Sequence, residues 1–326
     1  MYHVRIVVPG DLADDVLELL DNEGSACNLI HLPGAARRPE GDVILVDVAR
    51  EDASVVLADL RKLRVDHVGS IAVAEVDFQL SDRMERAMEH AGGSPADAVV
   101  WEEVTSRTSE TAELNWTFAL FMVLAGLIAA VGILLDTPIL IVGAMVVGPE
   151  FGPVAGICVA LVQRRPRLAL RSLIALAVGF PLTIAVVVAA CLAFKAIGAS
   201  PDGFDAASHS LSNIIASPDF FAFFVAFCAG IAGILSLTSA KSGALIGVLI
   251  SVTTIPAAAN VGVSIAYGEW SSARGSLEQL AVNLLSLIVA GTLTLLVERA
   301  FYARRRARHD EHATTPLGRS RRHAMR

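Results

Sequence analysis

The sequence predicts a polytopic α-helical membrane domain of six spans, joined to a small N-terminal α+β domain. The chain has 326 residues, 54% of them hydrophobic, and a mean hydropathy of +0.59. Its charge is partitioned. Residues 1–115 carry 10 Lys and Arg against 23 Asp and Glu, residues 116–298 carry 7 against 8, and residues 299–326 carry 9 against 2. A long, nearly uncharged segment is typical of helices in a bilayer, so we expect an acidic soluble domain, a membrane domain and a basic tail.

The soluble domain, residues 1–80, begins with a strand followed by a helix. The first apolar residues alternate as one buried side of a strand does: Val4, Ile6 and Val8. Asp11 is placed to cap the helix. The apolar face of that helix recurs at i, i+4, i+7 and i+8: Leu12, Val16, Leu19 and Leu20.

The remaining elements complete a βαββαβ order. The same patterns predict three strands, at residues 26–32, 42–48 and 70–78, and a helix at residues 53–63. The apolar phase slips between Val73 and Val76, which predicts a bulge in the last strand. This order is the ferredoxin-like arrangement, found in many small sensing and oligomerising modules, although fold alone does not define function.

A regulatory ligand site is predicted in the loop between the second and third strands, residues 33–41. Arg37 and Arg38 can meet an anion such as the phosphate of a metabolite or nucleotide, with His31 at the edge of the loop. The alternative interpretation is a solvated loop with surface arginines and a strand-edge histidine.

Two polar segments flank the membrane domain. Residues 81–115 predict a helical linker with a break at Gly92–Pro95, and residues 303–326 predict a basic, disordered cytoplasmic tail. Basic residues next to a span indicate orientation and contact with anionic membrane lipid, so we expect no nucleic-acid partner.

The membrane domain, residues 116–302, contains six apolar segments long enough to span a bilayer. They are Trp116–Leu135, Pro138–Val162, Leu168–Ala193, Phe220–Thr238, Gly243–Ala266 and Leu277–Phe301. With six spans, most Lys and Arg of the loops and of the C-terminal flank fall on one side, which is therefore cytoplasmic. The prediction is a multi-pass protein of the cell (inner or plasma) membrane with both termini cytoplasmic.

Helices 2 and 5 are predicted to be broken at corresponding points of two repeats. Ile141–Gly156 and Ile246–Asn260 are both interrupted by proline and by small or polar residues. Gly143 and Gly247 lie 104 positions apart (247 minus 143). Three spans per half is an odd number, so the second half enters the membrane in the opposite sense. The prediction is a 3+3 inverted repeat, whose broken helices mark a transport site.

The candidate transport residues lie at these two breaks. Glu150 is the central one, because a carboxylate inside a membrane costs about 2.5–3.5 kcal/mol on insertion scales and is usually functional. The alternatives are a structural carboxyl, and helix–helix packing for the hydroxyl and amide groups; Asn283 is interpreted as packing. The other candidates are Gly148, Pro149, Pro153, Ser251, Thr253, Thr254, Pro256 and Asn260.

The sequence contains no pattern typical of a catalytic or metal-binding site. The predicted spans contain no histidine, and no His-Glu-x-x-His motif, Ser/His pair in a span or metal-ligand cluster is present. We therefore predict no metal site and no enzyme, and the sequence does not indicate a cofactor.

The run Ile141–Gly156, with its Gly-Ala-Met, Pro and Gly-Pro core, resembles the signature of a family of prokaryotic membrane proteins. It is the uncharacterised hydrophobic-domain family, domain of unknown function number three-eight-nine. Ala125–Leu134 and Trp101-Glu-Glu also fit, and the resemblance covers mainly residues 100–300. It implies the membrane architecture with a small N-terminal soluble domain, and it implies no activity.

The sequence therefore favours a transporter or channel-like protein that moves a small solute or ion between broken helices 2 and 5. The soluble domain would regulate it by binding a metabolite or nucleotide, and a homo-oligomer is expected. The alternative is a membrane-anchored ligand sensor without transport, in which neutralising Glu150 has no effect on function. The solute, the coupling and the channel-or-carrier distinction stay open at this point.

Overall fold

The computed structural model describes residues 1–76, 81–91, 99–199, 209–239 and 253–313. The chain divides into two compact units. The first contains Met1–Val104 with Thr238–Ala240 and Phe301–Arg326, and the second contains Thr105–Leu237 with Lys241–Ala300.

The first unit is built on a four-stranded antiparallel sheet of order β2-β3-β1-β4. Its buried core includes Val4, Ile6, Val16, Val46 and Leu60, so the alternation predicted for the first strand is confirmed. In chain order its elements are β1 (Tyr2–Val8), α1 (Gly10–Asp21), β2 (Ala26–Arg37), β3 (Glu40–Val48), α2 (Arg50–Lys62), α3 (Val65–Val68), β4 (Ser70–Glu75) and α4 (Asp82–Ala91).

The prediction of a loop at residues 33–41 is wrong for most of that range. The two strands continue into a hairpin, with Arg37 opposite Glu40. Pro33 is tolerated because β2 is an edge strand, where a missing N–H does not break a ladder. The pairing of β2 with β3 shifts between Leu32 and Ala36, which lets the strand pass through the Pro-Gly sequence.

Two smaller predictions are also corrected. The bulge expected near Val73 is absent from the described part of β4, which pairs with β1 in regular register from Ser70 to Glu75. Asp11 does not cap α1, because the helix begins at Gly10 with Pro9 at its N-cap. Asp11 lies in the first turn instead, where a carboxylate interacts favourably with the helix dipole.

The remaining helices, most of which lie in the second unit, are long and apolar. Among the described residues four helices are long and apolar enough to cross a membrane, or five if the bent pair α7 and α8 forms one span. The fifth predicted span lies partly outside the described residues. The helices are α5 (Trp101–Thr111), α6 (Trp116–Leu134), α7 (Pro138–Val147), α8 (Phe151–Gln163), α9 (Pro166–Ala196), α10 (Ser210–Ile215), α11 (Phe220–Thr238), α12 (Thr254–Tyr267) and α13 (Trp270–Ala313).

Helix boundaries in the second unit recur at an offset of 104 residues. Helix α6 begins at Trp116 and α11 at Phe220 (220 minus 116), and their ends differ by the same number. Helix α9 begins at Pro166 and α13 at Trp270 (270 minus 166). The caps recur too, since Asn115 Oδ1 accepts from the Phe118 N–H and Asp219 Oδ1 accepts from the Ala222 N–H.

Candidate functional site in the apolar unit

The break predicted in the second span is present between α7 and α8, which are bent by 49°. Its cause is Pro149, because the residue before a proline is pushed out of the helical region. Gly148 is extended, with φ −64° and ψ 129°, and ends α7. Pro153 lies in the first turn of α8, where a missing N–H is harmless, so it does not break the helix.

Glu150 occupies the break and is 5% exposed. Its Oε1 accepts a hydrogen bond of 2.6 Å from the Thr254 hydroxyl. Its Oε2 is buried without a hydrogen-bond partner in the described part of the chain. A Cβ at Gly148 would collide with this oxygen and would lie 2.7 Å from Ile255. The carboxyl is therefore held between the starts of α8 and α12, with Oε1 hydrogen-bonded and Oε2 without a partner among the described residues.

The facing helix α12 begins at Thr254, with Thr253 at its N-cap. The Asn283 amide on α13 donates to the Thr253 hydroxyl at 2.8 Å, and the Gln279 amide donates to Asn283 Oδ1 at 3.0 Å. The Gln279 Oε1 is buried and makes no hydrogen bond to a described residue. Sequence reasoning left Asn283 open as a member of this polar group while favouring packing, and it missed Gln279, although their spacing of one helical turn was the signal.

The other predicted residues of the second break are not brought to Glu150. Asn260 is fully buried in a separate polar cluster, where it accepts from Ser212 at 2.9 Å and donates to Ser276 at 2.8 Å. It lies six residues beyond Thr254, about 9 Å along the helix. Pro256 is within the first turn of α12, and Ser251 lies outside the described residues.

Two cavities of the second unit lie beside the Glu150–Thr254 pair. The lining of the smaller one, about 330 Å³, includes Gly148 and Pro149. The lining of the larger one, about 560 Å³, includes Thr253, Gln279 and Asn283. Each cavity is therefore lined by a residue adjacent in the chain to a member of the Glu150–Thr254 pair.

In the first unit the predicted regulatory residues are partly separated. The His31 ring nitrogen Nε2 lies 2.7 Å from Asp42 Oδ2, and the Gly34 N–H donates to Asp42 Oδ1 at 2.8 Å. The Gly34 hydrogen bond and the His31 contact hold the pKa of Asp42 below its usual value. Arg37 and Arg38 are exposed at the end of the hairpin. The structure thus brings His31 to a carboxylate, and places the arginines in solvent.

The long apolar helices, with a broken pair among them, fit a membrane protein. Residues 145–289 match the family described as Domain of unknown function (DUF389), which confirms the resemblance seen in the sequence. The chain is 26% identical over 191 residues to the uncharacterized protein MJ0678 of Methanocaldococcus jannaschii. That match covers 59% of this chain and 57% of the relative, so the chain spans little more than half of it. No solved structure matches.

Proposed function

We propose that the protein is an integral membrane transporter or channel-like protein that moves a small solute or ion through a site between broken helices 2 and 5. The observation that carries this proposal is the Glu150 carboxyl, buried at a helix break with Oε2 unpartnered in the described structure. A carboxyl in such surroundings is costly, and a structure that only anchors a protein has no need of it. The proposal assigns no catalysis.

An inverted repeat of three spans in each half supports the same site. In a two-fold arrangement, a contact between residue i of one half and residue j of the other recurs with the roles exchanged. Gly262 lies beside Val187, and Gly291 lies beside Cys158. The exchange takes Val187 to Gly291 (291 minus 187) and Cys158 to Gly262 (262 minus 158), so the two contacts are counterparts.

Contacts to backbone carbonyls follow the same exchange. A Cβ at Gly262 would lie 3.1 Å from the Ile184 carbonyl oxygen, and the Cys158 thiol lies 3.5 Å from that of Ile288 (288 minus 184 is again 104). Glu150 and Thr254 are also 104 residues apart and contact each other. A position meets its own counterpart only at the two-fold axis, so the pair lies where a solute site of an inverted-repeat transporter is expected.

Six spans, cytoplasmic termini and a location in the cell membrane complete the proposed topology. Helix α12 lies within the predicted fifth span, and the 49° bend in α7 and α8 lies within the second. An odd number of spans in each half then gives the repeats opposite orientations, as the exchange of contacts requires.

The N-terminal domain is proposed to be ferredoxin-like and to regulate transport. Its sheet order β2-β3-β1-β4 and its helices α1 and α2 support that fold. The exposed Arg37 and Arg38 are suited to a phosphate-bearing metabolite or nucleotide, and the expected assembly is a homo-oligomer. Regulation requires that this ligand bind one state of the membrane domain better than the other.

A thermal-shift screen of the purified full-length protein tests the site, since a ligand of the folded state raises its apparent stability. The panel contains nucleotides, nucleosides, amino acids, carboxylates and metal ions. We expect a stabilising compound whose effect is lost in Glu150→Gln and retained in Glu278→Gln. Glu278 is the matched control because it is exposed and paired with Arg274 of its own helix. A sensor without transport would keep every effect in Glu150→Gln, and that result would refute the proposed site.

A further inference from the structure

We propose that the transported solute is a cation, and that it reaches Glu150 through two counterpart vestibules, one in each repeat. The first vestibule is the cavity of about 330 Å³ whose lining includes Gly148 and Pro149, and the second is the cavity of about 560 Å³ whose lining includes Thr253. This inference rests on the proposed function and adds the class of solute and its route.

The two vestibules are lined by corresponding positions. Eight of the twelve described lining residues of the second vestibule lie 104 positions after a lining residue of the first. The corresponding positions come from separate segments of each repeat, as in the pairs Asn115 and Asp219, Phe121 and Val225, and Pro149 and Thr253. Cavities that formed by chance packing have no reason to repeat in this way, whereas a two-fold arrangement of the repeats requires it.

Each vestibule is lined by a chain neighbour of the Glu150–Thr254 pair, Pro149 in the first and Thr253 in the second. From the second vestibule, the side chains of Gln279, Asn283 and Thr253 form a hydrogen-bonded chain that leads to the start of α12. Thr254 is the next residue, and its hydroxyl contacts Glu150. A solute that loses its water on entering therefore finds polar groups along the route from the second vestibule to the carboxyl.

The polar atoms left unpartnered on this route are acceptors. Gln279 Oε1 and Glu150 Oε2 are both buried without a hydrogen-bond partner within the described structure. Carbonyl and carboxylate oxygens are the ligands of hard cations and of ammonium groups, and they repel anions.

The charges of the linings agree with these acceptors. Carboxylates occur in both vestibules, and among the described lining residues none is a lysine or arginine. Glu113 at the first vestibule is paired with Arg171, so the preference for a cation rests on the unpartnered oxygens of Gln279 and Glu150 rather than on Glu113. The carboxylates of the linings are Glu110, Glu113 and Asp219.

The vestibules open on opposite sides of the membrane. Helix α6, the bent pair α7 and α8, and helix α9 lie between Asn115 and Asp219 in the chain, and three spans carry the chain across. Access from both sides to one site is the arrangement expected of an inverted-repeat transporter.

Tracer flux in proteoliposomes of the full-length protein tests the solute class. The probes are ²²Na⁺, ⁸⁶Rb⁺, ¹⁴C-methylammonium and ³⁶Cl⁻, with proton flux followed by an internal pH dye. We expect flux of at least one cation, lowered about tenfold or more in Glu150→Gln, as when a charge that contacts the ion is removed, and unchanged in Glu278→Gln. Gln279→Leu should lower it as well, which separates a route through the second vestibule from a role of Glu150 alone.

The outcomes separate this inference from the proposed function. Flux of chloride alone would overturn the cation and leave transport standing. No flux of any probe above empty liposomes would count against both. Cation flux that is equal in Glu150→Gln and wild type would show a different route and refute the site.

Labelling of introduced cysteines tests the two-sided route without any flux. Phe121→Cys and Val225→Cys are made with Cys27 and Cys228 replaced by serine, while the buried Cys158 and Cys191 are kept, and the parent with only these two cysteines is the background control. Intact cells are treated with a membrane-impermeant maleimide. We expect Val225→Cys to be labelled from outside and Phe121→Cys only after the cells are opened. Labelling of both from the same side would overturn the two vestibules while leaving a transport site at Glu150 intact.

Discussion

Removing the hydroxyl of Thr254 should destabilise the apolar unit by a specific amount. Thr254→Val keeps the shape of the side chain and deletes the donor that lies 2.6 Å from Glu150 Oε1. Because Glu150 is buried and its Oε2 is without a partner in the described residues, the variant leaves both oxygens unpaired. The expected cost is about 1–3 kcal/mol, the penalty for a buried polar group that loses its partner.

Thr183→Val is the matched control. Thr183 is also fully buried, but its hydroxyl donates at 2.8 Å to the Gly179 carbonyl of its own helix, so its removal leaves no charged group unpaired. The assay is unfolding of the purified protein in mixed micelles, with the apparent free energy of unfolding compared among wild type, both valine variants and Thr254→Ser. Thr254→Ser should recover most of the loss. If Thr254→Val and Thr183→Val agree within about 0.5 kcal/mol, the hydrogen bond to Glu150 does not stabilise the fold and the reasoning fails.

Two further predictions follow from close contacts. Gly148→Ala should destabilise the apolar unit by about 1–3 kcal/mol in the same assay, because the new Cβ collides with Glu150 Oε2. The control is Gly143→Ala, which should be neutral or stabilising because a Cβ there meets nothing within 4 Å. Equal effects of the two substitutions would contradict the close contact at Gly148. The second prediction concerns Asp42, whose pKa is held low by the Gly34 N–H. The ionised carboxylate therefore stabilises the fold fully when the pH is above the ordinary Asp pKa of about 3.9, and this stabilisation is lost as the pH falls below that value. Thermal unfolding of the N-terminal unit between pH 7 and pH 3 should therefore show a difference between wild type and Asp42→Asn that shrinks toward the acid end, and a constant difference would refute the linkage.

The helices and the first break were predictable because their causes are local. Pro149 excludes the helical conformation from Gly148 whatever the rest of the chain does, so the end of α7 could be placed from the sequence. The apolar alternation of β1 is equally local. The end of β2 could not be predicted, because Pro33 and Gly34 indicate a loop until pairing with β3 and an edge position make a strand acceptable.

The site was harder to predict because its members come from distant parts of the chain. Glu150 was recognised from its cost in a membrane, but its contact with Thr254 rather than with Asn260 depends on how α8 meets α12. Gln279 was missed because an amide near the end of a span looks like an interfacial residue until its burial is known.

If the two halves form the proposed inverted repeat, the chemical difference between them at the axis follows from the symmetry itself. Counterpart positions on a two-fold axis touch each other, so two copies of Glu150 would place two carboxylates at hydrogen-bonding distance, and like charges that close cannot both ionise. Thr254 at the counterpart position supplies a donor to one carboxylate oxygen and leaves the other available. Farther from the axis counterpart residues are free to diverge, as Gly156 and Asn260 show. Gly156 packs closely against Ser172, whereas Asn260 donates a hydrogen bond to Ser276, the counterpart of Ser172. The proposed solute site at the axis would therefore need only one acidic residue for both directions of access, because both cavities are lined by a residue next to the Glu150–Thr254 pair.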